Sequence, residues 1–301
     1  MDLWIPITIF AAFSQNVRSA LQKHLKGRLG TTGATFIRFA YGFPFALIYV
    51  AVLHVAFAQP LPVLSGSFFL AGALGGLAQI AATFLLLHLF SYKNFTVGTA
   101  YSKTEPIQAA LFGWVFLGEV ITPLIGLAIG IGVFGVVLIS LARSRPDPGH
   151  VRKALMGRPA LIGLASAALF GASAAAYRAA SLSLDGTGVF MQAGFALAAV
   201  TMFQTLVMAA WMVLRTPAEL QACAMSWRQS IWVGLVGVAG SVGWFTAMTL
   251  QKVAYVRALA QIELVFTLAV SVFVFREHIR RAELSGCALI LSAVVIIVLA
   301  S

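Results

Sequence analysis

Two glutamates, Glu105 and Glu263, stand inside the most apolar stretches of this 301-residue chain. Each lies about eight or nine residues from the nearer end of a predicted membrane helix, and its side chain is too short to reach water from there. A bare charge at that depth costs about 2.5–3.5 kcal/mol, so each carboxyl must line a wet cavity or be paired or protonated. Such a group can exchange a proton, bind an ammonium group, or make a structural hydrogen bond between helices.

The two glutamates belong to a long internal repeat. Glu105 and Glu119 recur as Glu263 and Glu277, in each case 158 positions later. A repeat of this length is far longer than a solenoid unit. In an apolar chain it predicts the duplicated halves of a transporter, with the substrate site where the halves meet.

The composition predicts that this chain is embedded in a lipid bilayer. Hydrophobic residues make up 60% of the chain and charged residues 10%, with a mean hydropathy of +0.95. Soluble domains have about 45–50% and about 25%, respectively. A crossing helix needs roughly 20 apolar residues, and ten segments provide them: 4–22, 34–57, 67–90, 97–118, 122–142, 159–183, 189–213, 231–250, 254–275 and 282–300.

The segments and the repeat together predict the domain organisation. Residues 1–142 form a first repeat with helices one to five, and residues 159–301 form a second repeat with helices six to ten. Residues 143–158 are basic and contain two prolines, which predicts a linker loop. The fold class is therefore all-α integral membrane, with ten transmembrane helices as two five-helix inverted repeats.

The basic residues carry the signal for orientation. A net charge of +11 would suggest a nucleic-acid partner in a soluble protein, but here the charges are spread over alternate loops, and no such partner is predicted. By the positive-inside rule these loops are cytoplasmic and both termini are outside. Fourteen basic residues lie on that side: Lys23, Lys26, Arg28, Lys93, Arg143, Arg145, Arg152, Lys153, Arg158, Arg215, Arg228, Arg276, Arg280 and Arg281. Lys252 and Arg257 are assigned to the opposite side.

Four further basic residues fall inside predicted helices. Arg18, Arg38 and Arg178 are within a turn or two of a helix end, where their long stems can snorkel to the interface. A place in the substrate pathway is the alternative. Lys103 is two residues from Glu105 and points elsewhere on a helix, so it is not assumed to neutralise that acid.

Proline and glycine residues predict how the helices bend and pack. Pro106 predicts a kink in the fourth segment, because it frees a backbone carbonyl one turn earlier. The pairs Gly72 with Gly76 and Gly234 with Gly237 place small residues at three- or four-residue spacing. We expect neighbouring helices to approach closely at these pairs.

Aromatic residues complete the candidate site, and the remaining patterns argue against catalysis. Tyr101 and Trp244 could stack a substrate or hold a cation, with a lipid-facing position as the alternative. The sequence shows no nucleophile motif, phosphate-binding loop or metal-ligand spacing. Cys223 and Cys287 form no disulfide framework. We therefore predict no enzyme activity, no cofactor and no metal site.

The Glu105-Pro106 step and the Leu117-Gly118-Glu119 turn, together with the duplicated ten-helix pattern, resemble the EamA-type members of the drug/metabolite transporter superfamily. The resemblance implies a secondary active permease of the plasma (inner) membrane. It would move a small polar or amphipathic metabolite, such as an amino acid or amine, by alternating access, with proton coupling through the glutamates. A passive channel or a non-transporting scaffold stays as the alternative, and an intramembrane enzyme is a weaker one.

Two features depart from that resemblance. The family implies cytoplasmic termini, whereas the loop charges predict external ones. Leu264 stands where the first repeat has Pro106, which predicts that the ninth segment lacks the kink. The substrate, the direction of transport and the oligomeric state are not fixed by the sequence.

Overall fold

The structure is a computed structural model, and it describes residues 2–89, 101–144, 157–273 and 280–300. Within these ranges the regular elements are helices, apart from one isolated bridge between Val63 and Asp185. They are α1 (Trp4–Ala40), α2 (Phe43–Val55), α3 (Gly66–Leu89), α4 (Glu105–Leu117), α5 (Pro123–Ser144), α6 (Arg158–Leu182), α7 (Val189–Arg215), α8 (Pro217–Met225), α9 (Trp227–Leu250), α10 (Val253–Leu259), a 3₁₀ turn (Ala260–Ile262), α11 (Glu263–Phe273) and α12 (Arg281–Ala300).

Length and hydropathy identify membrane helices among these elements. Seven helical segments of the described chain are long and apolar enough to cross a bilayer: Leu29–Val55, Gly66–Leu89, Pro123–Leu141, Arg158–Leu182, Val189–Arg215, Trp227–Leu250 and Arg281–Ala300. α4 is a shorter apolar helix. The chain is therefore an all-helical, multi-pass membrane protein, while the ten-span layout in two repeats stays a prediction.

Most predicted segments coincide with observed helices. The third, fifth, sixth, seventh, eighth and tenth segments begin and end within four residues of α3, α5, α6, α7, α9 and α12. Apolar length sets these boundaries, which is why the sequence locates them well. The start of the fourth segment, the end of the ninth and most of the 143–158 linker lie outside the described residues.

The first two predicted segments are divided differently from the prediction. α1 continues as far as Ala40 and is interrupted at Gly30, which has a φ of +66°. Glycine adopts this left-handed conformation without a steric penalty. The second predicted segment, 34–57, is therefore shared between the end of α1 and α2, with Tyr41 and Gly42 between them.

The loop predicted between the seventh and eighth segments contains a helix that the prediction missed. α8 has only nine residues and begins at Pro217, a favoured position for proline. It is too short to span a bilayer, so a search for apolar length passes over it. Cys223, expected beside a loop, is a buried residue of α8.

The described contacts divide the chain into two compact units. Unit 1 comprises Met1–Ile80 and Ala176–Gln251, and unit 2 comprises Ala81–Ala175 and Lys252–Ser301. Unit 1 thus takes one segment from each predicted repeat, and unit 2 takes residues 81–142 from the first repeat and residues 159–175 and 252–301 from the second. The predicted domains 1–142 and 159–301 describe the duplication in sequence and stay a prediction.

Glycines allow close packing of α1 against α9 in unit 1. A Cβ atom added at Gly243 would lie 2.9 Å from the Cβ atom of Ala11. At Gly234 an added Cβ would collide with the backbone carbonyl of Tyr41. Because backbone cannot move aside as a flexible side chain can, this face of α9 requires glycine.

α8 supports the break in α1. The Glu219 Oε2 atom accepts a hydrogen bond from the Gly33 backbone N–H at 3.1 Å. This amide lies in the first turn after the interruption at Gly30, where backbone N–H groups lack helical partners. The carboxylate of α8 therefore caps the helix that restarts within α1.

Unit 2 is built around the packing of α5 against α12. A Cβ atom added at Gly135 would lie 2.7 Å from the Gly286 carbonyl oxygen, so these two helices are also in backbone contact. Around this contact lies an apolar cluster of Val136, Ile139, Leu268, Cys287 and Ile290. These helices form the support on which the charged residues of unit 2 are placed.

Candidate binding site

Each of the two symmetry-related glutamates is the first residue of a helix. α4 begins at Glu105 after a turn at Lys103 and Thr104, and α11 begins at Glu263 after the 3₁₀ turn. The prediction had placed both in the interior of continuous helices, and this is corrected. An N-terminal position stabilises a carboxylate because the partial positive charge of the helix dipole is found there.

The helix break does not depend on proline. Pro106 lies in the first turn of α4, where its missing N–H costs nothing, and does not kink the interior of a helix. The second copy is interrupted at the same place although it carries Leu264. The expectation that the ninth segment would lack the break is therefore wrong. There the Glu263 N–H donates to the Ala260 and Gln261 carbonyls, which is the tighter 3₁₀ pattern.

Each glutamate contacts a cation contributed by the other sequence repeat. Arg257 donates through Nη2 to the Glu105 Oε1 atom. Lys103 donates through Nζ to the Glu263 Oε1 atom at 3.4 Å. Lys103 therefore contacts Glu263 rather than the glutamate two residues away.

The two ion pairs differ in their exposure. The Arg257 and Glu105 side chains are 15% and 21% exposed, whereas the Lys103 and Glu263 side chains are 35% and 19% exposed. A guanidinium group can also bind a carboxylate through a planar fork, which an ammonium group cannot do. The pair with Lys103 is therefore the one that a competing cation can displace more easily.

Arg257 is the functional candidate that the sequence reasoning missed. It was assigned to a loop opposite the basic loops, but it lies within α10. The signal was present, because residue 257 falls inside the predicted segment 254–275. A charge inside a membrane segment needs a partner, and Glu105 and Glu263 were the membrane acids available to it.

Gln261 adds an amide to the helix break before Glu263. Its side chain is only 8% exposed, and neither its Nε2 nor its Oε1 atom has a hydrogen-bond partner among the described residues. It occupies the repeat position of Lys103, 158 residues further along the chain. Because burying an unsatisfied amide is costly, this position offers a donor and an acceptor to an incoming group.

Glu119 has a structural role. α4 ends at Leu117 and is followed by Gly118, which has a φ of +65°. The Glu119 Oε2 atom accepts a hydrogen bond from the Val253 N–H at 3.1 Å. This N–H belongs to the first residue of α10, so the carboxylate caps that helix. Its repeat counterpart, Glu277, lies outside the described residues.

The arginines expected to snorkel are held within unit 1. Arg18 is 7% exposed and packs through its Cδ atom against Gly237. Arg178 donates hydrogen bonds to three backbone carbonyl oxygens at the end of α9. The acceptors are Met248, Thr249 at 3.3 Å and Gln251 at 2.7 Å. A cation there complements the helix dipole. Arg38 lines a cavity in unit 1 and lies over the ring of Phe39.

The two candidate aromatics occupy different surroundings. Trp244 is 6% exposed, and its Nε1 atom donates to the Gln15 Oε1 atom at 3.1 Å, all within unit 1. It is neither lipid-facing nor available for stacking in this state. Tyr101 is half-buried in unit 2, and its carbonyl accepts hydrogen bonds from the N–H and hydroxyl of Thr104. Tyr101 thus lies directly beside the break that precedes Glu105.

The candidate packing glycines are not equivalent. A Cβ atom added at Gly76 would lie 3.0 Å from the Phe203 ring, and one added at Gly237 would lie 3.3 Å from Arg18. At Gly72 the nearest atom, on Val200, is 3.5 Å away, which is ordinary contact. Close approach is therefore required at Gly234, is tight at Gly76 and Gly237, and is absent at Gly72.

The seven long apolar helices of the described residues define a multi-pass membrane protein. The model of the EamA-like transporter family matches residues 2–141. This match confirms, over residues 2–141, the resemblance to EamA-type transporters seen in the sequence.

The fold is also found in solved structures. One crystal structure of a protein superposes with a TM-score of 0.70, over 99% of this chain and 96% of that chain, at 19% sequence identity. A likeness at this identity shows the fold alone. No curated protein matches the chain.

Proposed function

We propose that this protein is a secondary active transporter that moves a small polar or amphipathic metabolite, such as an amino acid or amine, across the plasma (inner) membrane. Alternating access between the two sequence repeats is the proposed mechanism. The family match supports transport as the class of activity. The ion pairs of unit 2 support a cationic group as the feature that is recognised.

The observation that carries the proposal is the Lys103–Glu263 pair at the start of α11. Its atoms are 3.4 Å apart and the lysine is partly exposed, so the pair is loosely held. A substrate ammonium group can replace Lys103 on the carboxylate, because both are cations with several N–H donors. A proton can replace it as well, which would couple transport to a proton gradient.

The Arg257–Glu105 pair has a different role in this proposal. It is less exposed and uses a guanidinium group, so it holds α10 against α4 while the other pair exchanges. A fixed pair next to an exchangeable one gives substrate binding without loss of the local fold. Glu263 is therefore the binding residue and Glu105 the positioning residue.

The proposal is tested with the purified chain in proteoliposomes. Labelled amino acids and amines are offered in counterflow, with and without a pH gradient. We expect Glu263→Gln to reduce uptake at least about 10-fold and to abolish its pH dependence, since the amide cannot carry a proton. Asp2→Asn, which removes an exposed carboxylate at the N-terminus, is the matched control and should transport normally.

Two outcomes would overturn the proposal. Downhill flux without acceleration by substrate on the opposite side would indicate a passive channel. Wild-type uptake and pH dependence in Glu263→Gln would reduce the Lys103–Glu263 pair to a structural contact.

A further inference from the structure

A small polar cavity lies within unit 1, among residues of α1, α3, α7 and α9. Its volume is about 20 Å³, and its polar lining comes from Arg38, Gln79, Thr201, Gln204 and Ser241. A single water molecule needs about 10–15 Å³ by the same measure. The cavity therefore has room for one or two oxygen atoms.

Three of the lining residues are engaged with the protein itself. The Gln204 Nε2 atom donates to the Gln79 Oε1 atom at 2.9 Å and to the Gly76 carbonyl at 3.2 Å. The Tyr177 hydroxyl donates to the same Gln79 oxygen at 2.8 Å. The Thr201 hydroxyl donates to the Leu197 carbonyl at 2.7 Å. This network holds one wall of the cavity in place.

Arg38 and Ser241 are the polar lining residues whose hydrogen-bond donors are not used by the described residues. Arg38 lies over the Phe39 ring, with its Cζ atom 5.2 Å from the ring centroid. Neither its guanidinium nor the Ser241 hydroxyl makes a hydrogen bond or ion pair with the residues that the structure describes, and none of the lining residues is acidic. A guanidinium charge inside a membrane protein is costly without a counter-charge.

We propose that this cavity of unit 1 binds a carboxylate group on Arg38 and Ser241. The planar fork of a guanidinium matches the two oxygens of a carboxylate, and the hydroxyl supplies a further donor. The cavity volume takes the two oxygens of a carboxylate, and because the cavity is partly open the rest of the molecule extends out of it. The four-oxygen head of a phosphate is too large for the same volume. A cationic group is excluded by the charge of Arg38.

This site shares no residue with the ion pairs of unit 2, and it does not depend on the proposed role of Glu263. The carboxylate can belong to a transported molecule or to a small carboxylate taken from solution. Both sources present the same chemistry to Arg38. The experiment therefore includes one arm for each.

The test is thermal unfolding of the purified full chain in detergent, at constant ionic strength in sodium chloride. The added probes are acetate, alanine, ethylamine and inorganic phosphate. We expect acetate and alanine to raise the unfolding temperature and ethylamine and phosphate to leave it unchanged. Arg38→Gln should weaken the apparent acetate affinity about 10–100-fold, as expected for loss of a charge-assisted hydrogen bond.

Three variants make the result specific. Arg38→Lys keeps the charge without the fork and should bind acetate with intermediate affinity. Ser241→Ala should weaken binding less than Arg38→Gln. Arg215→Gln removes an arginine that lies over an aromatic ring in the same way, 5.5 Å from the Trp211 centroid, but does not line the cavity. It should bind acetate as the wild-type chain does.

Each contrary result overturns the inference. If acetate and alanine do not stabilise the wild-type chain, or phosphate stabilises it equally, the site is not a carboxylate site, whatever the folding of the variants. Equal acetate binding in Arg38→Gln would also refute it. Stabilisation by alanine together with alanine counterflow in proteoliposomes identifies the carboxylate of a transported molecule. Stabilisation without counterflow identifies a free carboxylate, and the transport proposal is then decided by its own assay.

Discussion

At the scale of single residues, the two related glutamates have unequal partners. Glu105 faces a guanidinium that is 15% exposed, and Glu263 faces an ammonium that is 35% exposed. Removing one member of a buried pair leaves the other charge without compensation, whereas a partly exposed lysine can turn to water. The same substitution should therefore have different effects at the two positions.

We predict that Glu105→Gln lowers the free energy of unfolding by about 3 kcal/mol, because the largely buried Arg257 loses its carboxylate partner. Glu263→Gln should lower it by less than about 1 kcal/mol. Thermal or denaturant unfolding in detergent measures both. The double variant Glu105→Gln with Arg257→Gln should recover part of the loss, and equal losses in the two single variants would contradict the assignment.

The thiol of Cys223 gives a second prediction at this scale. Burial, together with the smaller effect of the nearby Glu219 carboxylate, raises its pKa to about 11. Since only the thiolate reacts, alkylation by iodoacetamide at pH 8 should be at least about 100-fold slower than for a free cysteine. The rate should climb as the pH approaches 11.

Mass spectrometry of the intact protein reads out the modification in a Cys287→Ala background. The same chain unfolded in dodecyl sulfate is the control and should react rapidly. Because the pKa is raised in the folded state, the thiol's contribution to stability is complete below the unfolded value of about 8.5. It is lost as the pH rises through 11. Fast alkylation of folded protein at pH 8 would show that α8 does not bury this residue.

At the scale of elements, glycine spacing alone did not identify the packed helix faces. Gly72 and Gly76 have the four-residue spacing of a packing motif, yet only Gly76 has a neighbour closer than ordinary contact. Gly130 has nothing within 4 Å of an added Cβ. The spacing shows that two small residues lie on the same face of a helix. Whether that face packs closely depends on the position of the neighbouring helix.

We predict that Gly234→Ala is strongly destabilising, by about 2 kcal/mol or more, because its Cβ would meet the Tyr41 backbone carbonyl. Gly130→Ala, on α5, should be neutral or stabilising by up to about 1 kcal/mol, since alanine is the better helix former. Gly72→Ala should be tolerated in the same way. Thermal unfolding of the three variants measures the difference. A tolerated Gly234→Ala would refute the close packing of α9 against the Tyr41 backbone.

The helix breaks show where sequence reasoning succeeds and fails. Apolar length located most helices because the bilayer sets it, and the repeat located Glu105 and Glu263. The breaks at these residues were not predicted correctly, because proline was taken as their cause. In the second repeat Leu264 follows the break, so proline is not its cause and the local sequence carries no proline signal for it. Arg257 was missed as a partner although it falls inside the predicted segment 254–275, because it was counted as a loop residue.

At the scale of the whole molecule, the orientation in the membrane is still set only by charge. Two basic residues, Lys252 and Arg257, were assigned to the side of the membrane opposite the basic loops. Because Arg257 lies in α10, only Lys252 of these two is still a loop residue. The structure also places Lys23, Lys26 and Arg28, which were counted in the basic loops, within α1, so both counts fall and the larger one stays on the predicted cytoplasmic side. A positive-inside distribution of this size favours external termini.

We predict that a reporter fused after Ser301 behaves as periplasmic and that one inserted within residues 143–158 behaves as cytoplasmic. Paired alkaline phosphatase and green fluorescent protein fusions measure this, since each is active on one side only. Matched expression levels by immunoblot are the control. Cytoplasmic activity of the C-terminal fusion would restore the orientation implied by the family.

The interleaving of the two units has a consequence for how the chain can be divided. Both units take segments from either side of residues 143–158, and both ion pairs of unit 2 join residues across that point. A protease that nicks the backbone there would release neither piece. Two polypeptides translated from separate messages would each carry a glutamate and a cation whose partners lie on the other. The two ion pairs of unit 2 could therefore form only after the two polypeptides had associated.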